Sequence, residues 1–207
     1  MKNNSVNVGK MVQLAILVAI IVIMAYTPLG FLMIGPVSIT FMMIPVAIAA
    51  IVIGPVGGAI AGAVFGLSAF LRGFGLSPFA TALMNINPVF TFILMVIPRV
   101  LAGLIPGLIY VAVSKRKSKT AAAMAASLAA PICNTVLFVS TLFFLFGTTD
   151  YIRGFGDSAW AIIVTLVGIN GLVEAGVGFV TGSAVSRTLV HFFPGRARNR
   201  AAEHNAG

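Results

Sequence analysis

The sequence predicts an all-α integral membrane protein, a bundle of six hydrophobic helices. Three observations predict it. Hydrophobic residues make up 59% of the chain and charged residues 8%, against roughly 25% charged in an ordinary soluble domain. So few charges cannot cover a water-facing surface, whereas lipid tails can solvate the rest. Apolar runs also recur at close to the length that crosses a bilayer, about 20 residues at about 1.5 Å each. Finally, the lysines and arginines gather at the chain ends and in one internal segment, as membrane topology places them. The formal net charge of +9 is therefore read as topology, and no nucleic-acid partner is expected.

Helix one is expected from Val8 to Tyr26. Lys2 and Lys10 before the run from Met11 to Tyr26 give the outline of a signal peptide, but no A-x-A-like site follows and more apolar runs come after, so it reads as a retained first helix. Thr27, Pro28, Leu29 and Gly30 break it, and Phe31 to Pro36 reads as a short outer loop. Helix two is expected from Val37 to Ile53, kinked at Pro45 because proline lacks a backbone donor. Gly54 to Gly57 form a tight turn before helix three, Gly58 to Leu71. The stretch from Arg72 to Pro98 is rich in glycine, proline and asparagine, and its apolar part, Val89 to Ile97, is too short to span alone. It reads as a loop folded back against the protein. Irregular backbone at membrane depth must be buried or line a cavity, which makes this stretch a candidate binding element. Helix four then runs from Arg99 to Val113, helix five from Ala121 to Phe146 and helix six from Ala159 to Val185, with Asp150, Arg153 and Asp157 in an outer loop. Residues 1–190 form one transmembrane domain, and 191–207 a basic tail expected to be disordered.

The basic segments set the orientation. They are the N-terminus, the loop of Lys115, Arg116, Lys117 and Lys119, and the tail with Arg187, Arg196, Arg198 and Arg200. With six spans all three fall on one side, which the positive-inside rule makes cytoplasmic in a multi-pass protein of the plasma membrane. An odd number of spans would separate the N-terminus from the tail.

Small residues four apart mark helix faces where backbones approach closely: Gly58, Gly62 and Gly66, Gly103 and Gly107, and Gly178 and Gly182. These read as packing inside the bundle. Ala15 and Ala19 lie on the first, peripheral helix, where such a strip either packs within the chain or docks another subunit. Polar groups inside a membrane are costly and frequently functional. Glu174 is the one acid within an expected span, and Asn170 precedes it by one turn on the same face. Asn134 lies in helix five, Arg99 opens helix four near the outer surface, and Asn85 and Asn87 lie in the preceding loop. Together they predict a polar pocket in the outer half. Taken singly each has a plainer role: an ion pair for Glu174, a snorkelling anchor for Arg99, interhelical glue for Asn134. No P-loop, HExxH, paired CxxC or GxSxG motif occurs, and His191 and His204 stand in the tail without partners. The lone Cys133 reads as a small buried hydrophobe. No catalytic residue, metal site or cofactor is expected in the chain.

The sequence resembles the substrate-binding S components of energy-coupling factor (ECF) transporters from about Val12 to Leu189. The segments that carry the resemblance are T-P-L-G-F-L-M-I-G-P-V-S-I-T from Thr27, I-G-P-V-G-G-A-I-A-G-A-V-F-G-L from Ile53, I-P-R-V-L-A-G-L-I-P-G-L-I-Y from Ile97, N-T-V-L from Asn134 and N-G-L-V-E-A from Asn170. The resemblance implies a small six-helix protein that binds a vitamin from outside. It joins a transmembrane coupling subunit and two ATPases, and delivers the vitamin inward as ATP is hydrolysed by those partners. It implies that Ala15 and Ala19 meet the coupling subunit. It also implies a substrate site made from the loop before helix four together with Arg99, Asn134, Asn170 and Glu174. The segments from Thr27 and Ile97 look most like the pantothenate-type members, while Glu174 departs from members with a lysine on helix six. Riboflavin, folate, cobalamin or a pyrimidine precursor stay open as substrates, as does a self-contained secondary carrier. Against the carrier, two inverted halves with matched broken helices are not evident.

Overall fold

The computed structural model describes residues 8–28, 30–33, 38–116 and 118–156, together with 158, 161, 162, 164, 165, 176, 180 and 184. The chain is helical, as the composition predicts. The described elements are α1 (Val8–Ala25), β1 (Phe31–Met33), β2 (Ser38–Thr40), α2 (Met43–Val52), α3 (Pro55–Leu71), α4 (Pro78–Ile86), α5 (Pro88–Arg116), α6 (Lys119–Phe146) and α7 (Asp150–Arg153). Among them α1, α5 and α6 are long and apolar enough to cross a membrane, and α2 and α3 are shorter apolar helices. Of the expected sixth helix, residues 161, 162, 164, 165, 176, 180 and 184 are described and are helical; the tail and the domain boundary at 190 lie outside the described residues.

Three expectations are corrected. The outer loop after helix one is a two-stranded antiparallel ribbon, in which Phe31 pairs with Thr40, Leu32 with Ile39 and Met33 with Ser38. Helix two therefore starts at Met43 rather than Val37. The Thr40 hydroxyl accepts the Met42 N–H just before it, and Pro45 falls in the first turn, where a missing N–H costs little. At ten residues α2 rises only about 15 Å, half of the roughly 30 Å hydrocarbon core. Finally, the stretch from Arg72 to Pro98 is not a loop. It forms α4 and the first third of a continuous α5. Two of its prolines, Pro78 and Pro88, act as helix starts. Pro78 follows the N-cap Ser77, whose hydroxyl accepts from the Ala80 N–H. Asn87 accepts the N–H groups of Val89 and Phe90 through Oδ1, each at 3.0 Å, and so caps α5.

The helices alternate in direction. Lys10 near the start of α1 donates to the carbonyl of Ile53 at the end of α2 (3.4 Å), a cation at a helix C-terminus where the dipole favours it. Gly58, Gly62 and Gly66 of α3 face Gly103, Arg99 and Met95 of α5 in antiparallel order. A Cβ on Gly62 would collide with the Arg99 carbonyl, and one on Gly66 would lie 2.7 Å from the Met95 carbonyl. Glycine thus lets α3 press its backbone directly onto α5, the packing role that the small-residue spacing predicts. The result gathers Lys10, Lys115, Arg116 and Lys119 at one end of the bundle, and the β1–β2 ribbon, α4 and α7 at the other. Phe65, Leu83, Leu94 and Phe146 are fully buried in the core between them.

Candidate functional site

Arg99 stands within α5, roughly 16 Å along the helix from Pro88 at about 1.5 Å per residue. The expectation that it opens a helix near the outer surface is corrected: it is an interior arginine, 8% exposed. The cause is its neighbour. Pro98 has no N–H to give the Leu94 carbonyl four residues back, and Arg99 Nη1 donates to that carbonyl instead, at 2.7 Å. The proline thus continues the helix rather than ending it. The guanidinium is stacked between two rings, 4.5 Å from the centroid of Phe138 on α6 and 5.6 Å from that of Phe65 on α3. Such contacts gain up to about 2 kcal/mol when desolvated.

Asn134 lies one turn before Phe138, on the same face of α6. It is 5% exposed, and its Oδ1 is buried without a hydrogen-bond partner among the described residues. A buried carbonyl oxygen left unpaired costs about 1–3 kcal/mol. One packed pair, Arg99 on Phe138, therefore brings a cation and an unsatisfied amide to neighbouring turns of facing helices.

The rings continue outward. Phe79 of α4 lies 6.4 Å from Phe138 and 6.1 Å from Tyr151 of α7, and Tyr151 meets Phe155 edge-on at 5.3 Å. Burial pushes the Tyr151 phenol above its ordinary pKa. These aromatic residues went unremarked in the sequence, where phenylalanine spacing in an apolar helix looks like any core. Ser127, seven residues before Asn134 on α6, carries a buried hydroxyl without a partner among the described residues, 1% exposed.

The remaining expected residues divide. Asn85 is exposed on the last turn of α4, and Asn87 caps α5 through its Oδ1 while half-buried; both stand at the end of the bundle away from Lys10, Lys115 and Arg116. Asn170 and Glu174 lie outside the described residues. Ala15 and Ala19 lie exposed on α1, which buries only Ile21 and Ala25. Cys133 is half-buried against the core.

Apolar helices packed through glycine around an interior arginine and amide define a helical membrane protein with polar groups set in its core. The chain belongs to the family of the ECF transporter, substrate-specific component, which matches residues 9–182. Members of this family are transporter subunits rather than enzymes; each binds a substrate and works with a membrane T subunit and ATPases. No curated protein gives a significant match to the chain.

Proposed function

We propose that this chain captures a small carboxylate vitamin, pantothenate in the first instance, from outside the cell and delivers it inward once coupled to a T subunit and two ATPases. The observation that carries the reading is the Asn134 amide oxygen, buried and without a partner among the described residues, one turn from the ring that holds Arg99. A ligand with a donor group removes that penalty. Arg99 pairs the vitamin's carboxylate through two parallel hydrogen bonds. Asn134 then serves a hydroxyl or the amide of the vitamin. Asn170 and Glu174 complete the polar set, Glu174 accepting from a hydroxyl or from Arg99, and Asn85 and Asn87 stand at the outer mouth. Ala15 and Ala19 form the docking strip for the T subunit. The chain itself uses no cofactor; ATP is spent by its partners. The basic end faces the cytoplasm with both termini, in the plasma membrane.

The row of Phe79, Phe138, Tyr151 and Phe155 favours a second reading, a vitamin with a planar ring such as riboflavin or a pyrimidine precursor. Calorimetry of the purified protein against a vitamin panel decides. Submicromolar binding of pantothenate supports the first reading; binding of a ring-bearing vitamin alone replaces it with the second.

A further inference from the structure

Arg72 sits where three outer elements meet. It is the C-cap of α3, 9% exposed, and its Nη1 donates to the carbonyl of Ala25, the last residue of α1. The last four carbonyls of a helix have no intrahelical donor. Here Thr27 serves Met24 through both its N–H and its hydroxyl, and Arg72 serves Ala25. The guanidinium also places positive charge at the negative end of the α1 dipole.

The backbone of Arg72 has a different duty. Its carbonyl accepts from the N–H groups of Leu76 and Ser77, each at 2.9 Å. Those bonds close the turn that delivers Ser77 as the N-cap of α4. Gly75 makes the turn possible, with φ at +114°, a conformation that side-chain-bearing residues rarely adopt. A second tie holds the same turn, as the Thr81 hydroxyl donates to the Gly73 carbonyl at 2.8 Å.

Each root leads to an outer element. After Ala25 the chain reaches Gly30, whose N–H donates to the Thr27 carbonyl and whose carbonyl accepts from Phe41, directly beside the β1–β2 pairing. Beyond Ser77, α4 carries Phe79 onto Phe138 and Tyr151. One residue therefore fixes the root of the ribbon with its side chain and the root of α4 with its backbone.

We infer that Arg72 is a positioning residue, a clasp that makes the β1–β2 ribbon and α4 loosen and tighten as one unit at the outer end of the bundle. That this unit covers a ligand rests on the reading proposed above; the clasp itself does not. A residue that merely capped α1 would hold the ribbon and leave α4 indifferent to its side chain.

Hydrogen exchange read by mass spectrometry on the purified full chain in micelles, without ligand, separates the two. Arg72→Met keeps the apolar stem and removes the donors and the charge. The strand amides of 31–33 and 38–40 and the amides of α4 should then exchange about tenfold faster together, with α5 and α6 unchanged. Faster exchange in one segment alone, or in neither, overturns the clasp. Should Arg72→Met lose protection throughout, Arg72→Lys replaces it as the test. Lysine keeps the charge at α1 with a single nitrogen, and a smaller acceleration shared by both segments is expected under the same overturning outcomes. Pantothenate calorimetry on wild-type protein from the same preparation reports on the ligand reading separately. Absence of binding there would sink the pantothenate assignment and leave the exchange result standing.

Discussion

Pro98 and Arg99 act as one device. The proline withholds a backbone donor from Leu94 and the arginine supplies one from its side chain, so a charge enters the bundle interior with a structural task already attached. Arg99→Ala should therefore have two effects. Affinity for a carboxylate ligand should fall by about 1.5–3 kcal/mol, read by calorimetry. The thermal midpoint of the empty protein should also fall, because the Leu94 carbonyl loses its donor. Arg99→Lys should rescue neither fully, since a point-like ammonium lacks the planar fork. Unchanged affinity in Arg99→Ala would remove Arg99 from the site. Asn134 gives the opposite signature. Its oxygen is buried and unpaired among the described residues, so Asn134→Leu should stabilise the empty protein by about 1 kcal/mol while abolishing binding. Destabilisation by the same change would mean that the amide already serves the fold. At this scale the sequence pointed to Arg99 and Asn134 by their polarity alone. It misplaced Arg99 because Pro98 reads as a helix break until the donor that replaces its N–H is seen. Phe65 and Phe138 gave no signal, since what distinguishes them is the cation between them.

The pairing of α3 with α5 sets where Arg99 stands. Gly62 faces the Arg99 carbonyl itself, and Gly58 and Gly103 face each other one turn away. Any side chain at Gly62 must push the helices apart or twist them. Gly62→Leu should destabilise the protein by about 1–3 kcal/mol or more by overpacking, and should weaken ligand binding as well, because the Arg99 backbone moves with the interface. Detergent melting curves and calorimetry on the same variant check this; a variant as stable as wild type would mean that the helices are not in contact there. Gly54 needs no such neighbour. At φ +116° with open space around it, its requirement is the backbone turn between α2 and α3. These glycines were legible from their four-residue spacing. The stretch from Arg72 to Pro98 was not read correctly, although Ser77-Pro78 and Asn87-Pro88 are a cap followed by proline at the first helical position. Counting prolines as breakers hid two helix starts. The ribbon was missed for another reason: three-residue strands are too short to show a period of two.

The whole molecule has two unlike ends and one unlike side. Cations mark one end, and the other carries the ribbon, α4 and the aromatic row. The gathering of Lys10, Lys115, Arg116 and Lys119 at one end was legible from the charges, because topology constrains lysine and arginine; what stands at the other end was not. The unlike side is α1. Most of its length is uncovered, with Met11, Val12, Ile16, Ile20 and Ile23 exposed, and only its C-terminal turns reach the core at Ile21 and Ala25. Apolar exposure in a membrane protein is met by lipid and by itself signals nothing. Ala15 and Ala19 add shape to it: two small exposed residues one turn apart leave a shallow groove into which another helix can press its backbone. Ala15→Trp or Ala19→Trp would fill that groove without touching Arg99, Asn134 or the α3–α5 seam. Reconstituted with the T subunit and both ATPases, each variant should lose ATP-driven uptake while vitamin binding to the isolated chain stays at the wild-type level. The separation of the two readouts is what matters. Loss of binding alongside uptake would place the damage inside the fold. Retention of both would mean that lipid alone meets α1 and that coupling runs through another face.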